Sequence, residues 1–183
     1  MTVKHSPLLP AIAAVLLLGL AAAPLAAQTR NTLTEEDTRV SAEDAAESGI
    51  WGVACDHDVA GTRTGCRVSQ TVVAKDTGKR LLTVSIRRTP DGAEPTVLLT
   101  LPLRTFLVPG TSIRVDGQPG RQSPFHLCDD NGCYAGLPAD ESLVAALKAG
   151  QTLSVEFYDD KRQKTEIKLP LKSFAGSFDK AGN

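Results

Sequence analysis

Apolar and polar side chains alternate along most of the chain after residue 50. One alternate set of positions is apolar in each of the runs 82–87, 97–101, 113–115, 153–157 and 167–171. Successive side chains of a β-strand point to opposite faces, so this period of two predicts strands that are buried on one face. Turn-forming pairs such as Asp-Gly, Pro-Gly and Asn-Gly separate the runs. The pattern therefore predicts an all-β domain, mainly an antiparallel β-sandwich or a barrel-like structure.

One segment, 140–149, has the spacing of a helix instead. Asp140 is suited to cap the first turn, and Gly150 is placed to end the helix. The apolar residues between them fall on one side of a helix: Leu143, Val144 and Leu147. We expect one short helix near 140–149, which closes an open end of the β-structure.

The first 27 residues have the three-part pattern of an export signal. Lys4 provides a positive start, an apolar run follows from Leu8 to Ala23, and small residues precede Ala27. This order predicts a signal peptide at 1–27, cleaved after Ala27. A permanent membrane anchor is the alternative, but the run is short for the roughly 20 residues of a span. We therefore expect a periplasmic or secreted protein with no stable membrane insertion after cleavage.

The segment 28–49 differs in composition from the rest of the chain. It holds six acidic residues against two arginines and few large apolar residues. Such a segment buries too little surface to offset its ordering entropy, so we predict an acidic flexible arm, with a docking tail as the alternative. One β-domain at 50–178 and a C-terminal tail at 179–183 follow. The formal net charge of −1 argues against nucleic-acid binding.

The four cysteines form two close pairs. Cys55 and Cys66 have ten residues between them, and Cys128 and Cys133 have four. Three pairings are open, and the nearest-neighbour pairing is favoured because each of its loops resembles a hairpin. Zinc sites use spacings of about two to four residues, and redox pairs usually have a two-residue spacer. We therefore predict structural disulfides at all four cysteines, with no metal site and no cofactor.

No catalytic constellation emerges from the remaining residues. The chain has no Gly-x-Ser-x-Gly elbow, no His-Glu-x-x-His helix and no phosphate-binding glycine loop. His57 lies between Asp56 and Asp58, and His126 lies near a further acidic pair. We expect no catalytic residues and no enzymatic activity. The alternative is a His/Asp-dependent envelope enzyme or metal-dependent module in which both histidines meet.

An ordered set of motifs resembles the invasion-associated locus B family over about residues 50–178. The set comprises Ile-Trp-Gly-Val-Ala-Cys at 50–55, Cys-Arg-Val-Ser-Gln at 66–70, Val-Pro-Gly-Thr-Ser-Ile-Arg-Val-Asp at 108–116, Pro-Phe-His-Leu-Cys at 124–128 and Leu-Pro-Leu-Lys-Ser-Phe at 169–174. The resemblance implies a secreted or periplasmic protein of Gram-negative bacteria with a β-rich domain. The family takes its name from a member linked to the entry of a pathogen into host cells. The resemblance implies no catalytic residues, and only the cysteines carry over.

These observations favour an exported, disulfide-stapled binding protein of the bacterial envelope. Its partner is an unknown protein or envelope component, with a host surface as the narrower version. The loops 56–65, 116–123 and 158–164 are the predicted contact surface. A periplasmic role in envelope maintenance is the alternative, and the oligomeric state stays open.

Overall fold

The structure is a computed structural model that describes the backbone of Ala45–Ala46 and residues 50–182. The predicted signal peptide at 1–27 and most of the predicted arm at 28–49 lie outside these residues. The two described residues of the arm, Ala45–Ala46, pair with Val73 and Ala74 of the domain. Within the described part of the chain, no helix is long and apolar enough to cross a membrane.

The domain consists of short strands with a helix before the last hairpin and another after it. The elements are β1 (Ala45–Ala46), β2 (Gly52–His57), β3 (Arg63–Ala74), β4 (Arg80–Arg88), β5 (Thr96–Leu101), β6 (Thr111–Val115), β7 (Arg121–Ser123), β8 (Phe125–Asp129), β9 (Gly132–Pro138), α1 (Glu141–Ala149), β10 (Thr152–Tyr158), β11 (Lys164–Pro170) and α2 (Phe174–Lys180).

The strands form two antiparallel sheets, which confirms the predicted all-β fold. The larger sheet has the order β1-β3-β4-β5-β9-β8, and β2 pairs with β3 on the same side as β1. The smaller sheet has the order β11-β10-β6-β7. Within the described residues both sheets are open and share one core, which is the sandwich form rather than the barrel form. The chain passes from one sheet to the other at Pro124, between β7 and β8.

The alternating positions bury as the period of two predicts. In β4, Leu82, Val84 and Ile86 have no exposed surface, and the residues between them are only partly buried. In β10, Leu153 and Val155 face the same core. Each strand therefore contributes one apolar face to the space between the sheets.

The predicted helix near 140–149 is confirmed as α1. The Asp140 carboxylate accepts the Leu143 N–H at 2.8 Å, and Leu143 and Leu147 are buried. The helix ends before Gly150, whose backbone is extended rather than left-handed. Glycine is required there because a Cβ would lie 2.4 Å from Val115 Cγ1. Close packing against β6, rather than backbone freedom, therefore explains this glycine.

The expectation of a single helix is wrong, because α2 follows the last strand. Seven residues that include a glycine carry little helical preference on their own. Phe174 and Phe178 are buried, and the Phe174 ring packs edge-on against Trp51 at 5.0 Å between centroids. The Trp51 indole N–H also donates to the Pro170 carbonyl at 2.9 Å. Tertiary packing on Trp51 thus stabilises α2, which continues to Lys180, past the predicted domain boundary at 178.

Candidate functional site

The cysteines lie at the two opposite sides of the larger sheet. Cys55 of β2 is bonded to Cys66 of β3, and Cys128 of β8 is bonded to Cys133 of β9. In both pairs the two residues are directly opposite each other in neighbouring strands. The structure therefore has the nearest-neighbour pairing and not a crossed one. Each bridge attaches an outer strand to the strand inside it.

The two histidines do not meet. His57 is on β2 at one side of the larger sheet, and His126 is on β8 at the other. Five strand-to-strand steps separate them, which is about 24 Å at the usual spacing. Within the described residues, no three His, Cys, Asp or Glu side chains are grouped to hold a metal ion. The alternative of a shared His/Asp site is therefore wrong.

The acids beside His57 have structural roles. Asp56 forms ion pairs with Arg67 at 3.6 Å and Arg87 at 3.3 Å on the exposed face of the sheet. Asp58 accepts the N–H groups of Ala60 and Thr62 at 2.9 and 2.8 Å and so holds the turn between β2 and β3.

In each of the three predicted contact loops one acid accepts backbone N–H groups. Besides Asp58 in the first loop, Asp116 in the second accepts the N–H groups of Gln151 and Thr152. Asp159 in the third accepts the N–H of Gln163 at 2.7 Å. These three carboxylates therefore hold backbone in place rather than facing a partner.

A surface that begins at Gln122 and Ser123, the end of the predicted loop 116–123, carries exposed apolar side chains. A groove of about 540 Å³ is lined by residues 107–110 and 122–128, and we call it the edge groove. Three large apolar side chains in it are exposed: Val108 at 85%, Leu127 at 56% and Leu107 at 40%. Soluble proteins rarely group such side chains without a functional reason, so this is the candidate site.

The change of sheet at Pro124 creates the edge groove. β7 is an outer strand of the smaller sheet, and β8 is an outer strand of the larger one. Phe125 packs half-buried against the core, and a register shift between Phe125 and Leu127 lets Leu127 point to solvent. His126, between them, contacts the Gly136 carbonyl through Nε2 at 3.2 Å.

The opposite wall of the edge groove is a tight turn. The Gly110 N–H donates to the Leu107 carbonyl at 2.9 Å. Gly110 has a φ of 72°, and a Cβ there would lie 3.0 Å from the Ser123 carbonyl. Only glycine combines this backbone with such close approach, and it holds Leu107 and Val108 beside β7. Ser123 lines the groove and is fully buried, and its hydroxyl has no hydrogen-bond partner in the described residues.

One long side of β8 is open. Within the described residues β8 pairs only with β9, so the main-chain groups on its other side have no partner strand. Native proteins usually protect such edges with charges or prolines. Here Pro124 precedes the strand and Asp129 ends it, while the positions between carry no Lys, Arg, Asp or Glu. The edge groove therefore combines an open strand edge with exposed apolar side chains.

Asp129 provides a lasting negative charge at the end of β8. The Asn131 N–H, which donates to it at 2.7 Å, holds the pKa of this carboxyl below its usual range, and the Tyr134 hydroxyl acts in the same direction. The turn that joins β8 to β9 therefore stays anionic at neutral pH.

Sequence reasoning identified only one border of the edge groove, Gln122 and Ser123 in the predicted loop 116–123. Leu107, Val108 and Leu127 lie outside the alternating runs, and each alone is an ordinary exposed apolar residue. The sequence carries no signal of the register shift in β8, because Phe-His-Leu at 125–127 alternates regularly.

Comparisons with known proteins agree on one family. Residues 51–182 match the family model described as invasion associated locus B protein. Invasion protein B homologues from two Brucella abortus strains, strain 2308 and biovar 1 strain 9-941, are each 31% identical to this chain over 131 residues. The match covers 71% of this chain and 74% of each relative.

A solved structure shares the fold. The crystal structure of invasion associated protein B from Bartonella henselae matches with a TM-score of 0.62 and 21% sequence identity. The match covers 75% of this chain and 93% of that chain.

Proposed function

The chain belongs to the invasion-associated locus B family, and on that premise we propose that it is an exported binding protein of the bacterial envelope that docks a partner protein at the edge groove. The role proposed is recognition, without enzymatic activity.

Export is supported by the cysteines. Two disulfides are typical of an oxidising, exported compartment. With the predicted signal peptide, they support a periplasmic or secreted location. Each bridge joins an outer strand to its neighbour, so it would hold the outer strands of the larger sheet in place outside the cytosol.

The edge groove is the observation that carries the proposal. An open strand edge offers main-chain hydrogen bonds to an extended segment, and a neighbouring apolar pocket accepts one of its side chains. The groove provides both, at β8 and beside Leu107 and Val108. We therefore propose that the partner contributes an extended segment with an apolar side chain.

Contact with a host cell is the narrower form of this proposal. Its support is that the Brucella and Bartonella relatives are named as invasion or invasion associated proteins. A periplasmic partner and a role in envelope maintenance form the alternative. Protease and antibody accessibility on intact cells, beside a fractionated periplasm, decides between them. Surface exposure or release into the medium supports host contact, and protection until the outer membrane is opened supports the periplasmic role.

Site-specific photo-crosslinking in the exporting cells tests the edge groove. A crosslinking amino acid is placed at Val108, at Leu127 and, as a matched control, at Val59. Val59 is apolar and fully exposed, but it lies on the turn after β2, away from the groove. We expect one discrete adduct from both groove positions and none from Val59.

Competition makes the test specific. The adduct from Val108 should disappear with Leu127→Asp and persist with Val59→Asp, with Trp51 fluorescence showing that both variants are folded. Adducts of equal yield at all three positions, or none at the groove positions, would refute docking at the edge groove.

A further inference from the structure

A second cavity lies away from the edge groove and shares none of its lining residues. It has a volume of about 580 Å³, within the range of ligand pockets, and we call it the helix pocket. One wall is a single face of α1, because its residues follow the spacing of three, four and seven: Glu141, Val144, Ala145 and Lys148. The other walls are the segment 92–95 after β4, Arg88 at the end of β4, and Phe178 of α2.

Two cations converge at one end of the helix pocket. The Arg88 guanidinium lies 4.6 Å from the centre of the Phe178 ring and donates to the Phe178 carbonyl at 3.1 Å. The Lys148 ammonium lies 5.4 Å from the same ring and pairs with Asp179 at 2.6 Å. Within residues 50–182 no carboxylate forms an ion pair with Arg88, so Arg88, Lys148 and Asp179 together carry one net positive charge.

Two carboxylates mark the other end. Glu141 is in the first turn of α1. Glu94 precedes Pro95, whose carbonyl accepts the Ala139 N–H at 2.7 Å, so Glu94 is held beside the start of the same helix. In the described part of the chain, neither carboxylate has an ion pair or a side-chain hydrogen bond. The helix dipole favours an acid at the start of α1 and a base at its end, which explains the positions of Glu141 and Lys148. It does not explain Glu94 and Arg88, which lie on other elements.

The two ends are about one short peptide apart. Glu141 and Lys148 are seven positions apart, which is about 10 Å along a helix axis at 1.5 Å per residue. Three residues of extended chain span about the same distance. The middle of the pocket is lined by small or short apolar residues, namely Gly92, Ala139, Val144 and Ala145. It leaves room for a main chain with small side chains.

We infer that the helix pocket binds a short peptide of about three small residues by its free termini. The peptide ammonium lies at Glu94 and Glu141, and its carboxylate lies at Arg88 and Lys148. This recognition is independent of the edge groove, so its failure would leave the proposed docking function untouched.

Calorimetric titration with trialanine tests this inference. The comparison peptides are N-acetyl-trialanine, trialanine amide and the doubly blocked peptide, each missing one charge or both. We expect trialanine to bind, and each blocked terminus to raise Kd by about tenfold, because a charge-assisted hydrogen bond is lost.

Two variants assign each terminus to its end of the pocket. With Glu141→Gln, the preference for trialanine over its N-acetyl form should fall, while the preference over the amide persists. With Lys148→Gln, the reverse should hold. Glu166→Gln on β11, outside the pocket, is the control and should leave both preferences unchanged. Equal binding of trialanine and the doubly blocked peptide, no binding of trialanine, or variants that lower both preferences alike would overturn the inference.

Discussion

Replacing Leu147 by alanine should destabilise the domain more than any other single truncation in α1. Leu147 is 1% exposed and is part of the core shared by the two sheets, so its side chain loses almost all contact with water on folding. Alanine is also the best helix former, so helix propensity does not oppose the change. The predicted loss therefore comes from packing and is slightly reduced by the gain in helix propensity.

The magnitude follows from the buried atoms. The change deletes three carbon groups, at about 0.8 kcal/mol each, which gives about 2.4 kcal/mol of lost transfer free energy. A residual cavity of about 40 Å³ adds about 1 kcal/mol. A small gain in helix propensity offsets part of this, so we expect the free energy of unfolding to fall by about 3 kcal/mol.

Urea unfolding followed by Trp51 fluorescence measures this change. Trp51 is the single tryptophan of the chain and is 1% exposed, so its emission reports on the core. The disulfides are kept oxidised, and an unchanged m-value shows that the midpoint shift reflects stability.

Val144→Ala on the same helix is the matched control. Val144 is only partly buried, and alanine improves its helix propensity by roughly 0.5 kcal/mol, so we expect a loss below about 1 kcal/mol. If Leu147→Ala lowers the free energy of unfolding by less than about 1 kcal/mol, or by no more than Val144→Ala, the packing of α1 on the shared core is wrong.

Three further perturbations have definite expected outcomes. Replacing Cys55 and Cys66 together by alanine opens a loop of twelve residues and should lower the free energy of unfolding by about 3 kcal/mol in the same urea assay. The Arg121 guanidinium holds the pKa of Asp140 well below its usual range, so this carboxylate contributes stability above about pH 4 that is lost as pH falls further. Asp140→Ala should therefore be less stable than the parent at pH 7, with the difference shrinking below pH 4. Gly132→Ala should destabilise by more than about 1 kcal/mol, because φ is 146° and a Cβ would lie 2.3 Å from the Leu101 carbonyl.

Each of these has a control of the same chemistry. The Cys128–Cys133 bridge closes only six residues, so its removal should lower the free energy of unfolding by about 2 kcal/mol, and a larger loss than at the other bridge would contradict the loop argument. Asp130→Ala, which removes an exposed acid outside α1, is the control for Asp140→Ala. Gly61→Ala has a positive φ but open space around its Cβ, so it should destabilise less than Gly132→Ala.

The sites proposed here depend on parts of the chain with weak local patterns. Leu107 and Val108 lie in a tight turn, and Leu127 is exposed by a register shift that the regular alternation of Phe-His-Leu does not indicate. In the helix pocket, Glu141 and Lys148 were visible as opposite charges on one helix face. Their counterparts Glu94 and Arg88 gave no sign in the sequence that they would face α1.

The sequence by itself determined the local elements. Alternation predicts a strand because burial of one face acts residue by residue, as at Leu82, Val84 and Ile86. Asp140 predicts the start of α1 because a cap acts within one turn, and the short cysteine loops favoured the pairing that the structure shows.

Only the tertiary structure decided which elements become neighbours. It paired β5 with β9, which placed His57 and His126 at opposite sides of the larger sheet, and it placed Leu107 and Leu127 in the lining of one groove. It also stabilised α2, whose seven residues become helical because Phe174 and Phe178 bury against Trp51 and its surroundings. Pairings between segments distant in sequence depend on how much apolar surface the two sheets bury together. A local sequence pattern does not contain this information, because it reports only on its own segment.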